Sequence, residues 1–228
     1  MLAQSREPST RSQHRKRAVV RAAAAVLRRR GFDAVTSRSV AEEAGLPEQT
    51  VRAYYSARDD LRAAGLEFML NGWIDQAQDF INRLPGTLDL HETARLIVEV
   101  ATVHASQNES FTRRTISGIY ERYLQAGKHP ELSALVVAYN EVLANLVGRV
   151  LALNGRYVST QVARAVLAVV DGTVIYELAA GETPVPQAIQ MLEFAIPRLC
   201  AIQEDEIHLA TTATKIRRWP PGSRVSFG

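Results

Sequence analysis

Cysteine is almost absent: Cys200 is the only one in 228 residues. A single thiol closes no internal bridge and builds no cysteine-clustered zinc site, so a disulfide scaffold is excluded. Uninterrupted apolar runs are short as well. Stretches such as residues 165–170 fall far below the roughly 20 residues that a membrane span needs. The five histidines, at positions 14, 91, 104, 129 and 208, show no His-Glu-x-x-His or other metal spacing. No glycine-rich phosphate loop and no nucleophile elbow interrupts the chain. These absences leave enzyme readings thin, and the expectation is a non-enzymatic protein with no metal, no cofactor and no membrane partner. The chain is 46% apolar and carries a formal charge of only +3, which excludes a wholly disordered polymer. Its length suits one or two domains around a substantial core.

The small net charge hides an asymmetry. Residues 1–61 hold 12 Lys and Arg against 7 Asp and Glu, whereas the rest of the chain holds 15 against 17. The first thirty residues alone carry nine basic side chains and one acid, Glu7. Positive charge gathered at one end points to a polyanion partner for that end only. An Arg-rich, acid-poor start is also the mark of an organellar transit peptide. Here the basic segment completes a helical pattern that runs straight into further helices, so only residues 1–11 are read as a mobile arm. Arg21 interrupts the one apolar run near the start, which disfavours a secretory signal.

Proline and glycine divide nearly everything else into helices. Val19, Val20, Ala23, Ala24 and Leu27 recur at helical spacing, and Gly31 stands where a C-terminal cap belongs. Thr36 is placed to cap a short helix that Gly45 ends. Pro47 can open a third helix, and Asp59 and Asp60 suit the first turn of a fourth. Leu66, Leu70, Trp73, Ala77, Phe80 and Leu84 then step by three and four, a buried stripe stopped by Pro85-Gly86. Further helices are predicted over residues 89–106, 109–127, 131–153, 159–180 and 186–203. No strand-like alternation persists, so the expected class is all-α. The expected domains are a helix-turn-helix over residues 12–57, a helical ligand-binding and dimerisation part over 58–203, and a tail over 204–228.

Residues 36–55 hold two short helices joined by Ala44-Gly45-Leu46, the layout whose second helix enters the major groove. The order Thr36, then Ala41-Glu42-Glu43-Ala44-Gly45, then Tyr54-Tyr55, then Arg58-Asp59-Asp60-Leu61 resembles the tetracycline-repressor (TetR) family. The resemblance is specific over residues 15–70. It implies a cytoplasmic, homodimeric transcription regulator, usually a repressor, that binds double-stranded DNA and answers to a small-molecule effector. The residues make sense without the family. Thr36 at a helix start can meet a phosphate, and Arg38 lies one turn inside on the solvent side. On the second helix Gln49 can pair with adenine, Arg52 with guanine, and Glu48 can accept from cytosine. Thr50 and Tyr54 can reach a phosphate or a thymine methyl, and Arg58 begins the next helix near the backbone. Arg52 stands where most family members carry a phosphate-binding tyrosine, so base contact and phosphate contact are both open for it. Glu48 is less comfortable, because an acid among phosphates weakens binding unless a base compensates. Val40, Ala44, Leu46, Val51 and Tyr55 form the small core of the unit. A helical adaptor that uses the basic hairpin for protein contacts is the alternative from another class.

Beyond Pro85, Leu90, Ala94, Ile97, Ala101 and His104 share one helical stripe. Trp73, His104, Phe111, Tyr120, Tyr123, Tyr139, Asn140 and Tyr176 are the candidate ligand residues, with plain core packing as the competing role for each. An apolar pocket with a few polar groups would suit a hydrophobic or aromatic effector. Ala165, Ala168 and Gly172 on one helix and Ile189, Leu192, Ile196 and Leu199 on the next resemble the family's dimer faces, a helix pair from each of two subunits. Either stripe could equally pack within one subunit.

Overall fold

The computed structural model describes residues 10–84, 86–102 and 109–217, and among these there are nine α-helices and no strand. In chain order they are α1 (Thr10–Arg30), α2 (Ser37–Ala44), α3 (Glu48–Tyr54), α4 (Arg58–Ile81), α5 (Leu90–Ala101), α6 (Glu109–Ala126), α7 (Pro130–Leu153), α8 (Thr160–Ala180) and α9 (Pro184–Arg217). A 3-10 turn, Phe32–Ala34, lies between α1 and α2. The chain is therefore all-α. Several ends differ from the sequence expectation, among them that of α5, which closes at Ala101 and not at residue 106. Helix α4 stops at Ile81, so Ile81 and not Leu84 ends its buried stripe. Helix α1 already begins at Thr10, inside the stretch read as an arm. Helix α9 continues past residue 203 to Arg217, because no proline or glycine follows Pro197 until Pro220.

The helices gather into two compact units. One contains residues 1–84 and 102–143, the other residues 85–101 and 144–228. The core of the first is continuous from α1 through α4. Val19, Ala22, Ala23, Val26 and Leu27 of α1 are buried with Val40 and Ala41 of α2, Val51 of α3, and Leu61, Leu66, Met69 and Leu70 of α4. Fully burying a side chain of this size stabilises by roughly 1.5–3 kcal/mol. The buried face of α1 is centred on Ala23, so Val26 lies inside while Val20 is only half-buried. Residues 132–153 of α7 are long and apolar enough to cross a membrane by length and composition alone. The stretch nonetheless carries Glu141 and Arg149 and buries Leu132, Ala144, Val147 and Leu151 in protein, as core helices do.

In the second unit α8 and α9 pack on each other and on α5. Helix α8 turns Ala163, Val166, Val170 and Val174 inward, and α9 turns Ala188, Leu192, Ile196 and Cys200 inward. The Asn154 amide donates to the Leu88 carbonyl at 2.7 Å, and the Leu88 N–H donates to the Leu153 carbonyl at 3.1 Å, tying the start of α5 to the end of α7. Both α8 and α9 also keep apolar residues outside. Ala168, Gly172, Ile175 and Tyr176 are exposed on α8, and Met191, Phe194 and Ile202 on α9. Of the expected faces, Leu192 and Ile196 are thus spent on the internal core, while Ala168 and Gly172 face outward.

Helices α1 and α4 cross closely at Gly65, where a larger residue would force its neighbours apart by a few tenths of an ångström. A Cβ at Gly65 would lie 3.1 Å from the backbone carbon and Cβ of Ala23 and 3.2 Å from the Ala24 nitrogen. Backbone atoms of a packed helix cannot step aside cheaply. Alanine is favoured over glycine in a helix interior by about 1 kcal/mol, yet overpacking of this kind costs about 1–3 kcal/mol. Gly65→Ala is therefore expected to lower stability by about 1 kcal/mol, and Gly65→Val by more. Urea unfolding monitored by circular dichroism reads this as a lowered midpoint at unchanged slope.

Candidate nucleic-acid interface and effector cavity

The reader is built from local rules. Thr36 caps α2 with a capping box: its hydroxyl accepts from the Ser39 N–H at 3.1 Å, and its own N–H donates to the Ser39 hydroxyl at 3.0 Å. The Ser39 hydroxyl donates onward to the Ala34 carbonyl at 2.6 Å. Gly45 closes α2 in the left-handed region at φ 63°, which glycine adopts without strain. After Pro47 the chain re-enters a helix, and α3 buries Val51 while exposing Gln49, Arg52 and Ala53.

On that outer face Glu48 and Arg52 form one unit. Arg52 donates from Nε at 3.0 Å and from Nη2 at 2.6 Å to the same oxygen, Oε1 of Glu48. The acid that stood alone in the sequence is thus matched by the base one turn later, in the favourable order for a helix. Arg38, 82% exposed, pairs loosely with Glu42 at 3.2 Å. Such pairs contribute about 0–1 kcal/mol, so either arginine can exchange its carboxylate for a phosphate at little cost. Thr50 is half-buried on the same helix.

Tyr54 and Arg58 are engaged elsewhere. The Tyr54 hydroxyl donates to the Ser12 carbonyl at 3.1 Å and lies 3.2 Å from the Ser12 hydroxyl, joining the end of α3 to the first turns of α1. Lys16 of α1 sits 5.8 Å from the centre of the Tyr55 ring. Burial, with Glu67 nearby, pushes the Tyr55 hydroxyl above its ordinary pKa. The basic start of α1 is thereby brought beside the reader, a role for Ser12 and Lys16 that no sequence spacing signals. Arg58 donates from Nε to the Val35 carbonyl at 3.0 Å and from Nη2 to the Asp33 carbonyl. One turn on, Arg62 is 6% exposed and donates to the Phe32 carbonyl at 3.1 Å and to the carboxylates of Asp33 and Asp59 at 3.2 Å each. The local signals for Arg62 are its spacing of four from Arg58 and of three from Asp59; its other partners, Phe32 and Asp33, lie about thirty residues away.

Four of the candidate ligand residues come together in the same compact unit. Trp73 and Tyr139 meet edge to face with ring centres 6.3 Å apart. With Tyr123 they line a cavity of about 30 Å³ between α4, α6 and α7. The Asn140 amide donates to the Tyr123 hydroxyl at 2.6 Å beside it. Tyr120 is half-buried on α6 and does not line this cavity. Tyr176 belongs to the second unit and is 71% exposed, because it stands off the inward stripe of α8 that ends at Val174. His104 and the Phe111 side chain lie outside the described residues.

Comparison with known proteins agrees with this geometry. Residues 19–64 match the family model described as bacterial regulatory proteins, tetR family, and residues 88–198 match that of the tetracyclin repressor-like C-terminal domain. No curated protein matches the chain. Among solved structures, the multidrug binding protein EbrR complexed with imidazole is 21% identical at a TM-score of 0.62, over 87% of this chain and 96% of that one. EbrR complexed with ethidium is 24% identical at 0.56, over 81% and 98%. A TetR transcription regulator from Haloarcula marismortui is 19% identical at 0.58, over 83% and 98%. With a helix-turn-helix and a helical C-terminal part that both match, the chain belongs to the tetR family of bacterial regulatory proteins.

Proposed function

We propose that the chain is a repressor that binds a palindromic operator as a homodimer and releases it when a small hydrophobic or aromatic effector binds. The observation that carries this reading is the course of α4 within one compact unit. Its first two turns hold the linker of the reader through Arg58 and Arg62, and its middle supplies Trp73 to the aromatic cavity. One helix thus touches both sites. The cavity as it stands is only water-sized, so an effector must part Trp73 from Tyr139 and move α4 in doing so. EbrR, a neighbour in fold, is described as multidrug binding and was solved with ethidium.

The reader's parts take distinct roles. Gln49, Arg52 and Glu48 face base edges, while Arg38 and Thr50 serve the phosphate backbone. Thr36 and Tyr54 lie at the same surface and contact phosphate once their internal bonds rearrange. Arg58 acts mainly by holding the linker. Dimerisation uses the outward apolar faces of α8 and α9, since two helices that have already filled an internal core still expose Ile175, Met191, Phe194 and Ile202. The domain roles follow: DNA binding resides in residues 12–57, effector binding and dimerisation in 58–203.

Two copies of α3 must read half-sites about 34–36 Å apart, or a multiple of that. Footprinting on DNA upstream of the gene is expected to show a symmetric, salt-sensitive site; protection of a single half-site counts against the dimer, and no shift at all leaves the adaptor reading. Arg52→Ala is expected to cost about 1–3 kcal/mol and to relax one base pair in a binding selection. An unchanged sequence profile would make Arg52 a phosphate contact. Arg38→Ala should weaken all sequences alike and flatten the salt slope with stability held within about 0.5 kcal/mol. Arg58→Met should instead lower the unfolding midpoint, by about 1–2 kcal/mol for two carbonyls left without their donor. A hundredfold loss of operator affinity on release needs a coupling of about 2.7 kcal/mol, and DNA must then weaken the effector by the same factor. Equal effector affinities with and without operator DNA would leave a pocket but no switch.

A further inference from the structure

A second cavity, of about 200 Å³, lies between α1 and α4 and shares Met69 and Trp73 with the aromatic one. Its floor is formed by Phe68, Gly72 and Trp73 of α4 with Ala25 of α1, and Arg21 and Arg28 of α1 line it as well. No acidic side chain among the described residues lines it. The two arginines are seven residues apart, which places them on one face of α1 about two turns, roughly 10 Å, from each other. Phe68 is 44% exposed there. We infer that this groove is a ligand site for a small aromatic carboxylate or an organic anion of that shape.

Gly72 supplies the independent reason. A glycine inside a helix weakens it relative to alanine, so it needs a cause. At Gly65 the cause is visible, a Cβ there being only 3.1 Å from Ala23. At Gly72 a Cβ would meet nothing within 4 Å. Packing does not require this glycine, just as it does not require Gly148 or Gly172; at Gly72 the open space belongs to the groove, which a larger side chain would enter. A void of about 150 Å³ lined by apolar side chains holds a benzene ring, so this groove has room for one or two fused rings. The ring lies against Phe68 and Trp73, and the carboxylate meets a guanidinium, whose planar fork suits it. Because Trp73 also lines the aromatic cavity, an occupant of the groove touches a side chain that both cavities share. The site is separate from the proposed effector cavity, and its existence does not depend on DNA binding.

Calorimetric titration of the full-length protein with 2-naphthoate and with its neutral isostere 2-naphthamide tests the assignment. The acid is expected to bind about tenfold more tightly than the amide. The double variant Arg21→Gln/Arg28→Gln should make the two compounds equal, and Gly72→Leu should abolish binding of both by filling the groove. Equal affinities for acid and amide in the unaltered protein overturn the inference. So does naphthoate binding that survives Gly72→Leu, or no heat with either compound. Should Gly72→Leu fail to fold, the double glutamine variant decides, since both changes fall on exposed side chains.

Discussion

The hold of α4 on the linker between α1 and α2 is the constraint from which the rest of the DNA-facing unit follows. The Phe32 carbonyl already accepts from the Val35 N–H within the 3-10 turn; Arg62 adds a second donor there, and Arg58 supplies donors to the Asp33 and Val35 carbonyls. Burying the Arg62 guanidinium carries a desolvation cost, which the carboxylates of Asp33 and Asp59 offset from the solvent side. Such a group adds little net stability. What it fixes is direction: with five donors in a rigid plane, it permits one arrangement of the linker on the helix. The capping box of α2 then begins two residues after that turn, with Ser39 bonded back to Ala34, so the linker sets where α2 and α3 start.

A rigid start makes α4 a lever only if its middle can also be displaced. The edge-to-face pair of Trp73 and Tyr139 and the water-sized space beside it describe a site closed by its own side chains. Opening it separates α4 from α6 and α7 near the aromatic residues. The tight crossing at Gly65 stands between that opening and the reader and limits how α4 can answer.

Charge on the reader is balanced locally before any polyanion arrives. Glu48 is matched by Arg52, Glu42 by Arg38, and Glu43 by Arg29 of α1. Exposed pairs of this kind are weak in water. Against a phosphate backbone the carboxylate is easily replaced, and the arginine is already presented in an extended, partly ordered form. Each of these acids thus already has a basic partner within the same compact unit.

Much of this was legible in the chain itself. Periodic apolar residues, Gly31, Gly45 and the Pro85-Gly86 stop marked the helices, because capping and burial on one face are local effects with a period of 3.6 residues. The order of turn, aromatic pair and acidic first turn marked the reader for the same reason. The packing of the face was legible only in part: the pattern named Val19, Ala23 and Leu27, but Val26 replaced Val20, since tertiary contact and not periodicity chooses the edge of a stripe. The carbonyl partners of Tyr54, Arg58 and Arg62 were invisible, as they lie as far as 42, 25 and 30 residues away, although Asp59, the other partner of Arg62, is only three residues off. Tyr176 shared the composition of a pocket residue yet ended up in solvent, while Trp73, Tyr123 and Tyr139 converged from three helices. Sequence determined which segments are helical and which face each one buries, because those choices are made within a few residues. Which arginine holds a carbonyl, which aromatic meets another, and which glycine is required by contact were decided only by the approach of distant helices, whose geometry no local spacing encodes.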